Sequence, residues 1–98
     1  MCKASYQRKR SDGNQPEIVA NLRSIGCTVQ DVHSLGHGFP DILVGYHGKN
    51  FLFEIKAPGG KITPDEKEWA QYWKGQSTLI RNFEQAVEYM DQHILEDE

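Results

Sequence analysis

Residues 40–56 read Pro40-Asp41-Ile42-Leu43-Val44-Gly45-Tyr46-His47-Gly48-Lys49-Asn50-Phe51-Leu52-Phe53-Glu54-Ile55-Lys56. Both arms are rich in Ile, Leu, Val and Phe, the residues that fit a pleated, half-buried surface. His47-Gly48-Lys49-Asn50 supplies turn chemistry, with Gly48 free to take positive φ. The stretch therefore predicts a tight β-hairpin. With the tip centred on Gly48-Lys49, Asp41 is expected opposite Lys56 and Leu43 opposite Glu54. Side chains alternate along a strand. One face then carries Asp41, Leu43, Gly45, Leu52, Glu54 and Lys56, and the other Ile42, Val44, Tyr46, Phe51, Phe53 and Ile55. The second face has no charge and is the expected core face. On the first, Asp41 and Glu54 are expected as diagonal neighbours whose side chains can converge. A slip of one residue would separate them.

Two carboxylates and a lysine on one face suit a particular chemistry. Mg²⁺ and Mn²⁺ take oxygen ligands, usually a few carboxylates with water and substrate phosphate. Such an ion lowers the pKa of a bound water and polarises a phosphoryl oxygen. Asp41 and Glu54 fit as ligands, and the Ile55 carbonyl, lying between Glu54 and Lys56, is a further candidate. Lys56 places a cation beside the attacking water or the developing charge. The bland reading is a solvated sheet face with an Asp–Lys cross-strand pair.

Gly38-Phe39-Pro40-Asp41, then Glu54-Ile55-Lys56, then Ile62-Thr63-Pro64 resembles the VRR-NUC family, a branch of the PD-(D/E)xK nuclease superfamily. The resemblance runs from about Glu17 to about Val87. It implies metal-dependent cleavage of DNA phosphodiesters. Stand-alone members of this size look like Holliday-junction resolvases, which implies a branched duplex as substrate and a homodimer as the working form. It also implies that a Glu on the first helix, here Glu17, completes the acidic cluster. Family members usually carry Gln shortly after the Ser/Thr-Pro, and this chain has Glu66, which cannot donate hydrogen bonds as an amide does.

The remaining segments fill in an α/β domain. Asn14-Gln15-Pro16-Glu17 predicts a helix start with Asn14 as cap, followed by Ile18, Leu22 and Ile25 at helical spacing and a stop at Gly26. Glu17 has a second reading there, as a first-turn acid favoured by the helix dipole. Thr28–Val32 predicts a strand and His33–Phe39 a Gly-rich loop. Thr63-Pro64-Asp65-Glu66 is a capping box opening a helix that carries Trp69, Tyr72 and Trp73 and stops at Gly75. Those aromatics can stack bases, but their single stripe favours the core or a dimer interface. Ser77–Ile80 predicts a strand. Asn82 caps a last helix with Phe83, Ala86, Val87, Met90 and Ile94. The order is α-β-β-β-α-β-α, a mixed sheet flanked by helices. It is also the core order of the restriction-endonuclease-like PD-(D/E)xK fold.

Ninety-eight residues make one domain, expected over residues 14–98 behind a basic arm at residues 1–13. Net charge is −3, which runs against DNA binding. The distribution answers part of this. Glu84, Glu88, Asp91, Glu96, Asp97 and Glu98 crowd the last segment, which has no Lys or Arg. Residues 1–83 then set eleven Lys and Arg against eight acids, a balance of +3. Lys3, Arg8, Lys9 and Arg10 in the arm, with Lys61, Lys67 and Lys74, are candidates for phosphate contact; ordinary solvation and a disordered tail are the alternatives.

Cys2 and Cys27 have neither zinc-type spacing nor a disulfide framework. His33 and His37 sit on a loop rather than at i, i+4 on a helix, which disfavours zinc. His37, just ahead of Gly38, can approach a phosphate. No apolar run is long enough to span a membrane and none reads as a signal peptide. The expectation is an intracellular, cytoplasmic setting, bacterial or viral. The leading reading is thus a Mg²⁺- or Mn²⁺-dependent DNA endonuclease using Asp41, Glu54, Lys56 and Glu17. A non-catalytic nucleic-acid-binding or interaction module that keeps the fold competes with it.

Overall fold

The computed structural model of the chain describes residues 13–96; the expected basic arm, with Lys3, Arg8, Lys9 and Arg10, lies outside them. Among the described residues the order is α1 (Gln15–Ser24), β1 (Thr28–Asp31), a 3₁₀ turn (His33–Leu35), β2 (Ile42–Tyr46), β3 (Lys49–Ile55), α2 (Pro64–Tyr72), β4 (Ser77–Ile80) and α3 (Phe83–Glu96). The expected succession of helices and strands is present. The loop before Asp41 holds the 3₁₀ turn as an addition, and α2 ends three residues before Gly75.

The strands form one mixed sheet in the order β1-β2-β3-β4. β1, β2 and β3 pair antiparallel, and β4 runs parallel to β3. A parallel partner needs a crossover, and residues 56–76, with α2, provide it.

The hairpin register differs from the expectation by two residues. Leu43 pairs with Leu52 and Tyr46 with Lys49, so the turn is His47-Gly48 rather than Gly48-Lys49. His47 has φ +52° and Gly48 φ +78°, the two positive values that a two-residue turn needs to match strand twist. Shifting the turn by one residue moves each partner by two positions, so every side chain keeps its face. The expected core face is the observed one. Ile42, Val44, Phe51, Phe53 and Ile55 are buried, with Tyr46 packed at the margin.

Ile80 of β4 extends that face, and against it lie Ile18 and Leu22 of α1 and Ala86 and Met90 of α3. Tyr89 stands edge-on to Phe51 and Phe53, with centroids 6.1 and 5.9 Å away. Full burial of each phenylalanine contributes about 1.5–3 kcal/mol. Cys27 is a free, buried thiol whose pKa burial pushes up. Ile25 ends outside the core at the α1 C-cap, where the helix has already closed.

Asn14 occupies the α1 N-cap, but its side chain makes no capping bond. Its Nδ2 instead donates to the carbonyls of Lys56 (3.3 Å) and Arg81 (3.0 Å), tying α1 to the ends of β3 and β4. The caps of the other two helices are the expected ones. Glu66 N donates to Thr63 Oγ1 and Thr63 N to Glu66 Oε1; Gln85 N donates to Asn82 Oδ1.

Candidate metal and catalytic site

The second face of the hairpin holds the polar cluster. The β2–β3 pairing begins at Ile42–Phe53, and just ahead of it Asp41 N donates to the Phe53 carbonyl (3.0 Å), which sets Asp41 beside Glu54. Both are buried, Asp41 at 7% exposure and Glu54 at 8%. Charged groups are seldom taken this far from water without partners.

Each acid is held differently. Asp41 Oδ2 accepts the Ile55 N–H at 2.7 Å. Asp41 Oδ1 lies 3.1 Å from His33 Nδ1, and an ionised carboxylate can only accept, which puts the imidazole proton on Nδ1. His33 is oriented in turn by its backbone N–H, which donates to Asp31 Oδ1 at 2.9 Å. The β1–β2 pairing of Asp31 with Ile42 brings this turn alongside Asp41.

Glu54 is pushed up to about 9, first by burial, then by the charge of Asp41 and by hydrogen bonding and charge from Glu66. Lys56 pulls the other way and does not win. Glu54 thus keeps its proton at neutral pH, and its hydroxyl can only be the donor toward Glu66. Lys56 Nζ is 3.5 Å from Glu54 Oε2, but with Glu54 neutral the charge partner of Lys56 is Glu66. Its carboxylate oxygens lie 3.0 and 3.2 Å from Nζ. Burial alone would lower the Lys56 pKa; Glu66 and Glu54 reverse this and raise it. Burial would raise that of Glu66, but the Thr63 N–H, Glu54 and Lys56 lower it.

These groups line one cavity of about 210 Å³ with His33, Gly36, Gly38, Phe39, Ile55, Thr63 and Asp65. A water occupies about 30 Å³ in the liquid, so a hydrated divalent ion fits. The side chain of Ile55 belongs to the core, so its backbone is what faces the cavity. Gly38 closes the rim with φ +82°; a Cβ there would fall on the Asp65 carbonyl, 2.6 Å from its carbon. That close approach seats the start of α2, and hence Glu66, over the hairpin.

Asp41, Glu54, Ile55 and Lys56 are therefore brought together as expected. Glu17 is not. It is exposed on α1, which packs against the opposite face of the sheet, and it does not line the cavity. The acid that joins Asp41 and Glu54 is Glu66. His33 is the histidine that reaches Asp41, while His37 is exposed. Lys61 is exposed in the β3–α2 connection, outside the cavity wall, and Lys67 and Lys74 are exposed as well.

Two donors here are suited to Mg²⁺ or Mn²⁺, namely the carboxylates of Asp41 and Glu54. Among the described residues no three His, Cys, Asp or Glu side chains are grouped closely enough to ligate one ion as they stand. Mg²⁺ commonly binds through one or two carboxylates, with water and substrate phosphate completing its shell, and the donor set fits that mode. Among the described residues no helix is long and apolar enough to cross a membrane. Comparison with family models, with curated proteins and with solved structures finds no match for this chain.

Proposed function

We propose that this chain is a divalent-metal-dependent nuclease that hydrolyses DNA phosphodiesters, with the PD-(D/E)xK core of VRR-NUC nucleases. One observation carries the reading. Two acids, Asp41 and Glu54, are both buried and line one cavity, and burial with the charge of Asp41 pushes the Glu54 carboxyl well above the usual range. A structural role would favour well-packed apolar residues at these positions. A divalent cation removes the conflict, because it offsets both charges and releases the Glu54 proton.

Asp41 and Glu54 would hold the ion, with the Ile55 carbonyl beside them. The ion would supply an activated water and a polarised phosphoryl oxygen. His33 and the Ile55 N–H fix the two Asp41 oxygens, which sets the direction of its lone pairs. Lys56 carries the positive charge that stabilises the transition state, and Glu66 holds its ammonium in place. Structure-selective cutting of branched DNA by a homodimer is part of the proposal. Lys61 and the arm residues Arg8, Lys9 and Arg10 would contact phosphate.

Calorimetric titration with Mn²⁺ tests the site. Asp41→Ala is expected to weaken binding at least tenfold, and Lys56→Ala to leave it intact while removing cleavage. Proton release on Mn²⁺ binding is expected near neutral pH, because Glu54 must ionise. Equal Mn²⁺ affinity in wild type and Asp41→Ala would place the metal elsewhere.

A further inference from the structure

Helix α2 buries none of its residues, although it carries Trp69 and Tyr72, and Trp73 follows at its C-cap. Tyr72 is 73% exposed and Trp73 43%, so of the two places expected for the stripe, core or dimer interface, it does not take the core. The two indoles stack on each other, with centroids 4.7 Å apart and planes 19° apart. Phe39 stands edge-on to both, at 5.3 and 6.0 Å. Phe39 lies two residues before Asp41, so the aromatic wall and the acid site share one segment of chain.

A cavity of about 130 Å³ runs along this wall, lined by Pro40, Ile62, Trp69 and Trp73. It shares Gly38, Glu54 and Glu66 with the acid cavity. Whatever occupies it therefore continues into the site of Glu54 and Lys56. An occupant needs a flat apolar ring close to a phosphate, and a nucleotide has both.

Resting on the nuclease reading, we propose that the Trp69–Trp73 wall is a stacking subsite for the nucleobase flanking the phosphate to be cut. Stacking of a base on an aromatic side chain contributes about 1–3 kcal/mol and tolerates any base. The base must leave its own stack to reach the wall. The subsite therefore favours single-stranded, frayed or branched DNA over intact duplex.

Trp69 and Trp73 are the two tryptophans of the chain, so intrinsic fluorescence reports from this wall alone. The Lys56→Ala full-length protein, with Mg²⁺, is titrated with a short single-stranded oligonucleotide while labelled-strand anisotropy follows binding. Tryptophan emission is expected to change in step with binding, and an added Trp73→Ala to weaken binding by about 5- to 150-fold. Trp73→Phe, which keeps a ring, is expected to restore most of the affinity. Binding with unchanged emission, or with equal affinity in Trp73→Ala, overturns the subsite and leaves the nuclease reading standing. Absence of oligonucleotide binding overturns both. A change in emission with protein concentration alone assigns the wall to contact between copies and also overturns the proposal.

Discussion

Glu54→Gln is the most informative single substitution, because it separates what the site costs the fold from what it does. In the folded protein the Glu54 pKa is raised from 4.5 to about 9. Below pH 4.5 both folded and unfolded chains hold the proton, and the group has no effect on stability. Between 4.5 and 9 the unfolded chain releases the proton while the folded one retains it. The unfolded state then binds fewer protons, so stability falls as pH rises. At about 1.4 kcal/mol per pH unit, the cost reaches about 3 kcal/mol at pH 7. Gln presents amide N–H groups to Glu66 where the neutral acid presents its O–H, and it does not titrate. With chelator present, Glu54→Gln is therefore expected to match wild type near pH 4. It should exceed wild type by about 1–3 kcal/mol at pH 7 and by more at pH 8. Urea unfolding across this range, read by circular dichroism, gives the difference directly. Adding Mg²⁺ should stabilise wild type and leave Glu54→Gln unchanged. A Glu54→Gln protein that is less stable at pH 7, or whose difference from wild type does not vary with pH, would refute the argument. It would mean that Glu54 is ionised and paired with Lys56 in the fold.

Three further outcomes follow from the geometry. Asn14→Asp keeps a good N-cap residue but removes both donors and points a carboxylate at two carbonyls; a loss of about 2 kcal/mol is expected in urea unfolding, where a capping role would give none. Gly38→Ala combines positive φ with a clash against the Asp65 backbone, and a loss of about 2–3 kcal/mol is expected by the same measurement. Glu66→Gln retains an acceptor for Thr63 N but removes the charge beside Lys56. A loss of about 1–2 kcal/mol is expected at pH 7. Because the Glu66 pKa is lowered, that loss should shrink as pH falls below 4.5 and Glu66 protonates.

What was legible in the sequence was the part with period two. The face assignment of Asp41, Glu54 and Lys56 survived a register error because the error was an even number of residues, and only odd slips exchange faces. The turn itself was harder to read, because His47 adopts a positive φ that non-glycine residues seldom take. Contacts made by tertiary placement were not legible. His33 meets Asp41 because β1 and β2 pair at Asp31 and Ile42, and the register of two strands joined by a long loop has no local signal. Glu66 reads locally as the third residue of a capping box, which it is. Its second role depends on Gly38 letting α2 approach the hairpin. Asn14 likewise reads as a cap until β3 and β4 end beside it. The aromatic stripe of α2 leaves core and dimer interface open, because a stripe shows which residues share a face, not whether the chain covers it.

The central claim is metal-dependent phosphodiester cleavage at Asp41, Glu54 and Lys56. The direct measurement is a cleavage panel of single strand, linear duplex, flap and four-way junction, each with Mg²⁺, Mn²⁺ or chelator. Wild type is expected to cut with either metal, to favour branched or single-stranded DNA over linear duplex, and to stop in chelator. Asp41→Ala and Lys56→Ala are each expected to cut no substrate. Failure of wild type to cut any of the four with either metal, or full cutting by Asp41→Ala, would contradict the account.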